Sequence, residues 1–81
     1  MNRLIRVDPE QAMNRWYMVN VQPSLLDAWV VVCAWGSRET RYQRMQVMPV
    51  GSQSEGMKLA GEIVAKKIKK GYMLLLPQFM V

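Results

Sequence analysis

Two apolar rhythms divide this chain: alternation with a period of two up to about residue 47, and a recurrence every three to four residues from about residue 53. Residues 28–35 are apolar on both parities, with Trp29, Val31, Cys33 and Trp35 on one side and Ala28, Val30, Val32 and Ala34 on the other. Such a strand lies inside a sheet with cover on both faces, and the side with the smaller residues is the expected seat of a helix. Residues 15–21 set Trp16, Met18 and Asn20 against Tyr17, Val19 and Val21, the pattern of a partner strand. It ends at Gln22-Pro23-Ser24, because proline cannot continue a central strand. Residues 40–47 alternate again, with Tyr42, Arg44 and Gln46 opposite Arg41, Gln43, Met45 and Val47, and predict a half-exposed strand. Residues 4–7 predict a short edge strand broken by Asp8-Pro9, with a turn or a single helical turn over residues 10–14. Gly36-Ser37-Arg38-Glu39 reads as a hairpin connection in which Gly36 supplies a positive φ. Leu25 and Leu26 are too apolar for a solvated turn and are expected to fold back as a lid over one end of the core.

The second rhythm opens with Ser52-Gln53-Ser54-Glu55, a capping box in which the serine oxygen accepts from an orphan amide and the glutamate reaches back to the cap amide. A helix over residues 53–70 follows, closed by Gly71. At 100° per residue its buried stripe is expected to be Met57, Ala60, Val64 and Ile68, opposite Lys58, Glu62, Lys66 and Lys69, with Lys67 and Lys70 at the margins. Gly61 beside that stripe suggests close approach of helix and sheet. Residues 73–76 and 79–81, interrupted by Pro77, read as a last strand or as a surface for a partner, including a second copy of the chain. The expected fold is therefore α+β: a small antiparallel sheet of about four to five strands against one long helix. The expected organisation is one domain over residues 1–81, with a core of 4–72 and an apolar segment of 73–81.

Composition then narrows the chemistry. With no histidine and one cysteine, disulfide frameworks and nearly all zinc chemistry are excluded, and the commonest general base is missing. Cys33, inside the apolar run, is expected to be structural. The six acids are scattered among turns and helix surface, so no acid–base pair, nucleophile, metal set or phosphate-binding glycine loop can be assembled. The reading is a protein that is not an enzyme and needs no cofactor or metal. No signal peptide or membrane-length apolar stretch is visible, which points to a cytoplasmic protein without a membrane partner. A net charge of +5 favours a polyanionic partner. Cations hold phosphates and aromatic faces stack on bases or sugars, so Trp35, at a strand end beside Gly36, and Arg38, Arg41, Arg44, Lys67 and Lys70 are the candidate nucleic-acid-binding residues.

Arg6-Val7-Asp8-Pro9, Met13, Arg15-Trp16-Tyr17, Val21-Gln22-Pro23, Leu25-Leu26, Trp29, Trp35-Gly36 and Lys69-Lys70-Gly71-Tyr72 are successive landmarks. In order and spacing, over roughly residues 4–72, they resemble the bacterial WGR domains. That family takes its name from a Trp-Gly-Arg tripeptide, and its better understood members lie inside DNA-damage-responsive poly(ADP-ribose) polymerases. The resemblance implies a small antiparallel sheet with one helix that binds DNA near strand breaks. It also implies that Trp35 packs against the terminal nucleotide of a DNA end, it adds Gly36, as the motif glycine, to the candidate binding residues, and it carries no enzymatic activity. Ser37 stands where the motif has arginine, and Arg38 next to it would have to serve instead. Neighbours in a strand point to opposite faces, so that exchange requires a register shift at Gly36. Glu39 stands where the family usually has a second glycine. The functional expectation is a non-enzymatic module that binds the DNA backbone or a strand end with low sequence specificity. The alternative is a protein-interaction or homodimerisation module using the apolar C-terminal segment.

Overall fold

The computed structural model describes residues 2–11 and 13–75. Within them lie strands β1 (Asn2–Asp8), β2 (Met13–Pro23), β3 (Trp29–Ser37), β4 (Gln43–Val50) and β5 (Met73–Leu75), with one long helix, α1 (Gln53–Lys69). A 3-10 turn, Pro9–Gln11, follows β1. The strands form a single antiparallel sheet in the order β4-β3-β2-β1-β5, with the helix on one face. The α+β architecture anticipated from the two rhythms is the one observed. No described helix is long and apolar enough to cross a membrane.

Register explains which side chains the helix covers. Tyr17 pairs with Trp35, Val19 with Cys33 and Val21 with Val31 across β2 and β3, while Leu4 pairs with Tyr17 on one side and Leu74 on the other. Leu4, Tyr17, Val19, Val31 and Cys33 meet Ala60 of the helix in one buried cluster, each large aliphatic side chain contributing roughly 1.5–3 kcal/mol. The helix thus sits on the parity of Trp29 and Trp35, not on the smaller-residue side that the sequence suggested. The reason lies in position along the strand: the tryptophans stand near the two ends of β3, and the middle of that face is only Val31 and Cys33.

The helix is rotated from the expected stripe. Gly56 and Ala60 are buried and Leu59, Ile63, Val64 and Lys67 are half-buried, whereas Met57 and Ile68 are 61% and 47% exposed. Gly56 is the glycine of closest approach: a Cβ there would lie 2.7 Å from Val21 Cγ1. Gly61, by contrast, has open space around it. The capping box forms with one change, since Ser52 Oγ accepts from the Glu55 amide at 3.1 Å but Glu55 Oε2 accepts from Gly51, one residue before the cap, at 2.9 Å. At the other end the Gly71 amide donates to the Ile68 carbonyl and the Tyr72 amide to the Lys67 carbonyl, a Schellman closure with Gly71 at φ 102°.

Three further expectations are corrected. β1 is interior, because β5 pairs along its outer side. Leu25 and Leu26 form no lid, being 104% and 95% exposed in the β2–β3 connection, where the turn is held by Ser24 Oγ accepting from the Leu26 and Asp27 amides. The β3–β4 connection begins after Ser37, and Gly36 is a paired, buried strand residue opposite Trp16 and Gln43 without a positive φ. Its missing side chain serves close packing: a Cβ would collide with the Tyr42 carbonyl and lie 3.0 Å from Gln43 Cα and 3.1 Å from Trp16 Nε1. Of the apolar segment at the end, Met73–Leu75 is strand β5, and residues 76–81 lie outside the described residues.

Candidate functional site

The candidate site grows from the last turn of the helix. The Schellman closure turns the chain so that Tyr72 falls beside Lys67, whose ammonium lies 5.7 Å from the Tyr72 ring centre and 4.4 Å from that of Tyr17. Tyr72 meets Tyr17 edge-on at 6.1 Å, and Tyr17 stacks nearly parallel on Trp35 at 5.7 Å and 11°. A row of three rings thereby links the helix end to Trp35, with Trp35 half-buried at its end. Burial raises the pKa of the Tyr17 phenol above its ordinary value, with Cys33 beside it adding to the effect. Burial, and then repulsion from Lys70, lowers that of Lys67.

Beyond Trp35 the surface opens into a cavity of about 400 Å³ bounded by Asn14, Arg15, Trp35, Ser37, Tyr42 and Tyr72, with Glu39 and Thr40 at its rim. Ser37 shapes this rim. Its Oγ accepts from the amides of Glu39 at 3.1 Å and Thr40 at 3.3 Å, and its own amide donates to the Tyr42 carbonyl at 3.1 Å. Serine hydroxyls satisfy backbone amides in this way and fix a loop without a glycine. Asn14 Nδ2 donates to Glu39 Oε1 at 3.3 Å, while Asn14 Oδ1 is buried without a hydrogen-bond partner among the described residues.

The seven residues singled out from the sequence are distributed over more than one surface. Trp35 and Gly36 line the cavity. Arg44 pairs with Trp35 across β3 and β4, on the same face, with its guanidinium 5.9 Å from the Tyr42 ring centre. Arg41 is exposed in the connection and Lys70 is exposed at the helix C-cap. Lys67 is half-buried against the two tyrosines. Arg38 lines a different cleft, with Arg3, Trp16 and Met18 on the opposite face of the sheet. The cation at the cavity is Arg15, which pairs with Ser37 in the register of β2 and β3. It was not among the seven, although its signal was present: Arg15 shares the parity of Tyr17, and Tyr17 sits opposite Trp35. Among the described residues no group of histidine, cysteine or carboxylate side chains is gathered to hold a metal ion.

Comparison with known proteins bears on this geometry. The family pattern of the WGR domain matches residues 2–77. The chain belongs to the WGR family. Its Trp35 and Gly36 supply the first two letters of the motif, and Ser37 replaces the third. The WGR domain is a nucleic-acid-binding module, a binding rather than a catalytic domain. The uncharacterized protein y4dW of Sinorhizobium fredii is 30% identical over 67 residues, which cover 83% of this chain. This WGR chain spans about a third of that relative, 32% of its length. No solved structure matches.

Proposed function

We propose that this WGR chain binds DNA, at the backbone or at a strand end, through the helix-side surface around Trp35, without catalytic activity. The observation that carries the reading is the half-buried Trp35, backed by Tyr17 at 5.7 Å, on the wall of an open cavity with Arg15 at its edge. A ring braced from behind offers its free side for stacking at little entropic cost, and a neighbouring guanidinium matches a phosphate. Arg15 at the cavity and Arg44 across from Trp35 are the cations assigned to the DNA contact, with the exposed Arg41 and Lys70 as further phosphate partners of this reading. Lys67 has a different role, holding the tyrosines that brace Trp35. Arg38 is not assigned to the DNA contact.

The test is a fluorescence-anisotropy titration with intact, nicked and single-stranded DNA at two salt concentrations. With about three to four phosphates neutralised, the affinity for duplex DNA is expected to fall with a log–log salt slope of roughly −2.7 to −3.6, and nicked or ended DNA is expected to bind more tightly than closed duplex. Trp35→Ala, in a variant verified to be folded, is expected to remove the preference for ends. Absence of binding at low salt to every DNA form sinks the proposal.

A further inference from the structure

We infer that the cavity beside Trp35 takes a strand end carrying a free hydroxyl, and that Glu39 is the residue that turns a phosphorylated end away; this rests on the DNA-binding reading of that surface. Among the described residues lining the cavity, Arg15 is the one cation and Glu39 the one anion. Glu39 is exposed, yet it is held at the rim from two directions. Its Oε1 accepts from Asn14 Nδ2 of β2 at 3.3 Å, and its backbone amide donates to Ser37 Oγ at 3.1 Å. A negative charge therefore stands at the mouth of the cavity, with the second carboxylate oxygen left for a ligand.

The same loop offers a phosphate no cradle. Backbone cradles for phosphate are built from unpaired amides that converge on it, and here the amides are committed. That of Ser37 donates to the Tyr42 carbonyl at 3.1 Å and that of Arg38 to the Asn14 carbonyl at 2.8 Å. Those of Glu39 and Thr40 donate to Ser37 Oγ, and that of Tyr42 to Thr40 Oγ1 at 3.2 Å. Arg15 remains, and it is the group assigned to an internucleotide phosphate. A terminal hydroxyl suits what is left, because it can donate to the Glu39 carboxylate. A phosphate monoester, largely dianionic at neutral pH, can only accept and meets the carboxylate as a like charge. The sign of the effect separates it from general electrostatics. A net charge of +5 draws in more strongly any DNA that bears an added phosphate, so a penalty for that phosphate has to arise from a negative charge at the site.

Nicked duplexes of one sequence, differing only in the groups at the nick, test this with the full chain by fluorescence anisotropy at low salt. One carries hydroxyls on both sides, one a 5′-phosphate and one a 3′-phosphate. The hydroxyl nick is expected to bind more tightly than one of the phosphorylated nicks by roughly fivefold, and the phosphate that weakens binding identifies the terminus lying at Glu39. Glu39→Gln removes the charge from an exposed side chain and keeps an oxygen for Asn14 Nδ2, so it is expected to abolish the penalty with an unchanged melting midpoint. Phosphorylated nicks that both bind as tightly as the hydroxyl nick, or more tightly, overturn the inference and leave DNA binding standing. A penalty that persists in Glu39→Gln overturns it in the same way. Absence of binding to all three duplexes removes the DNA-binding reading itself, and the inference with it.

Discussion

Gly56 and Gly61 are five residues apart in one helix, and their replacement by alanine tests where the helix touches the sheet. Intrinsic propensity treats them alike, since alanine in a helix interior is better than glycine by roughly 0.8–1 kcal/mol. Their surroundings differ. A Cβ at Gly61 meets nothing within 4 Å, so the full propensity gain is expected, raising the melting midpoint by about 4–8 °C. A Cβ at Gly56 would lie 2.7 Å from Val21 Cγ1, 3.4 Å from Val50 Cγ2 and 3.6 Å from Val31 Cγ2. Carbon atoms settle at about 3.5–4.0 Å, so the helix must retreat by about 1 Å. The valine cannot swing aside, because a β-branched side chain has little rotamer freedom. Overpacking of this kind costs about 1–3 kcal/mol, which offsets or exceeds the propensity gain. The two variants are therefore expected to separate by roughly 1–3 kcal/mol in urea denaturation, Gly61→Ala above the wild type and Gly56→Ala at or below it. Equal stabilisation by both, or the reverse order, would refute the packing described for α1.

Three other predictions follow from the same geometry. Gly36→Ala forces a methyl against the Tyr42 carbonyl and Gln43 Cα, which are backbone, so a loss of about 2–3 kcal/mol is expected in urea denaturation and a near-neutral result counts against it. For Tyr17 the folded pKa is raised above the unfolded value near 10, so the phenol's contribution is fully present below pH 10 and lost as the pH rises above it. The stability difference between the wild type and Tyr17→Phe should accordingly shift against the wild type between pH 9 and 11, and a pH-independent difference contradicts the assignment. In DNA titrations Arg15→Ala is expected to reduce the salt slope by about one while Arg38→Ala leaves it unchanged, and equal effects would place the DNA on the wrong face.

The parts of this fold that were legible in the sequence are those governed by one local rule. Alternation located β2 and most of β3 and β4, Ser52 and Glu55 marked the start of the helix, and Gly71 marked its end. The misplaced parts depend on what lies across the sheet. The helix phase was taken from Met57 and Ile68, but Gly56 has no side chain and contributes nothing to an apolar count, although it marks the closest point of contact. Gly36 looked like a turn because glycine tolerates positive φ, whereas the cause is the neighbouring strand. Leu25 and Leu26 looked like core because leucine usually is, whereas the turn that carries them is fixed by Ser24 Oγ accepting from the Leu26 and Asp27 amides and leaves both side chains in solvent. At the site, the Trp35-Gly36 motif was readable directly. The stack of Tyr72, Tyr17 and Trp35 under Lys67 was not, since it joins residues 17, 35, 67 and 72 through the sheet register and the helix closure. Arg15 and Arg38 exchanged places for the same reason: parity set by the register decides the face, and proximity in sequence to Ser37 does not.

The central claim is that DNA is held on the helix side at Trp35, and the three indole resonances of this chain report on it directly. In an ¹⁵N-correlated titration with a nicked duplex, the Trp35 indole and the amides of Arg15, Ser37, Tyr42 and Tyr72 are expected to shift together. The Trp16 indole and the amides of Met45 and Val47 are expected to stay in place. Shifts centred on Trp16, Arg38 and Met45, with Trp35 unmoved, would contradict the account and put the nucleic acid on the opposite face.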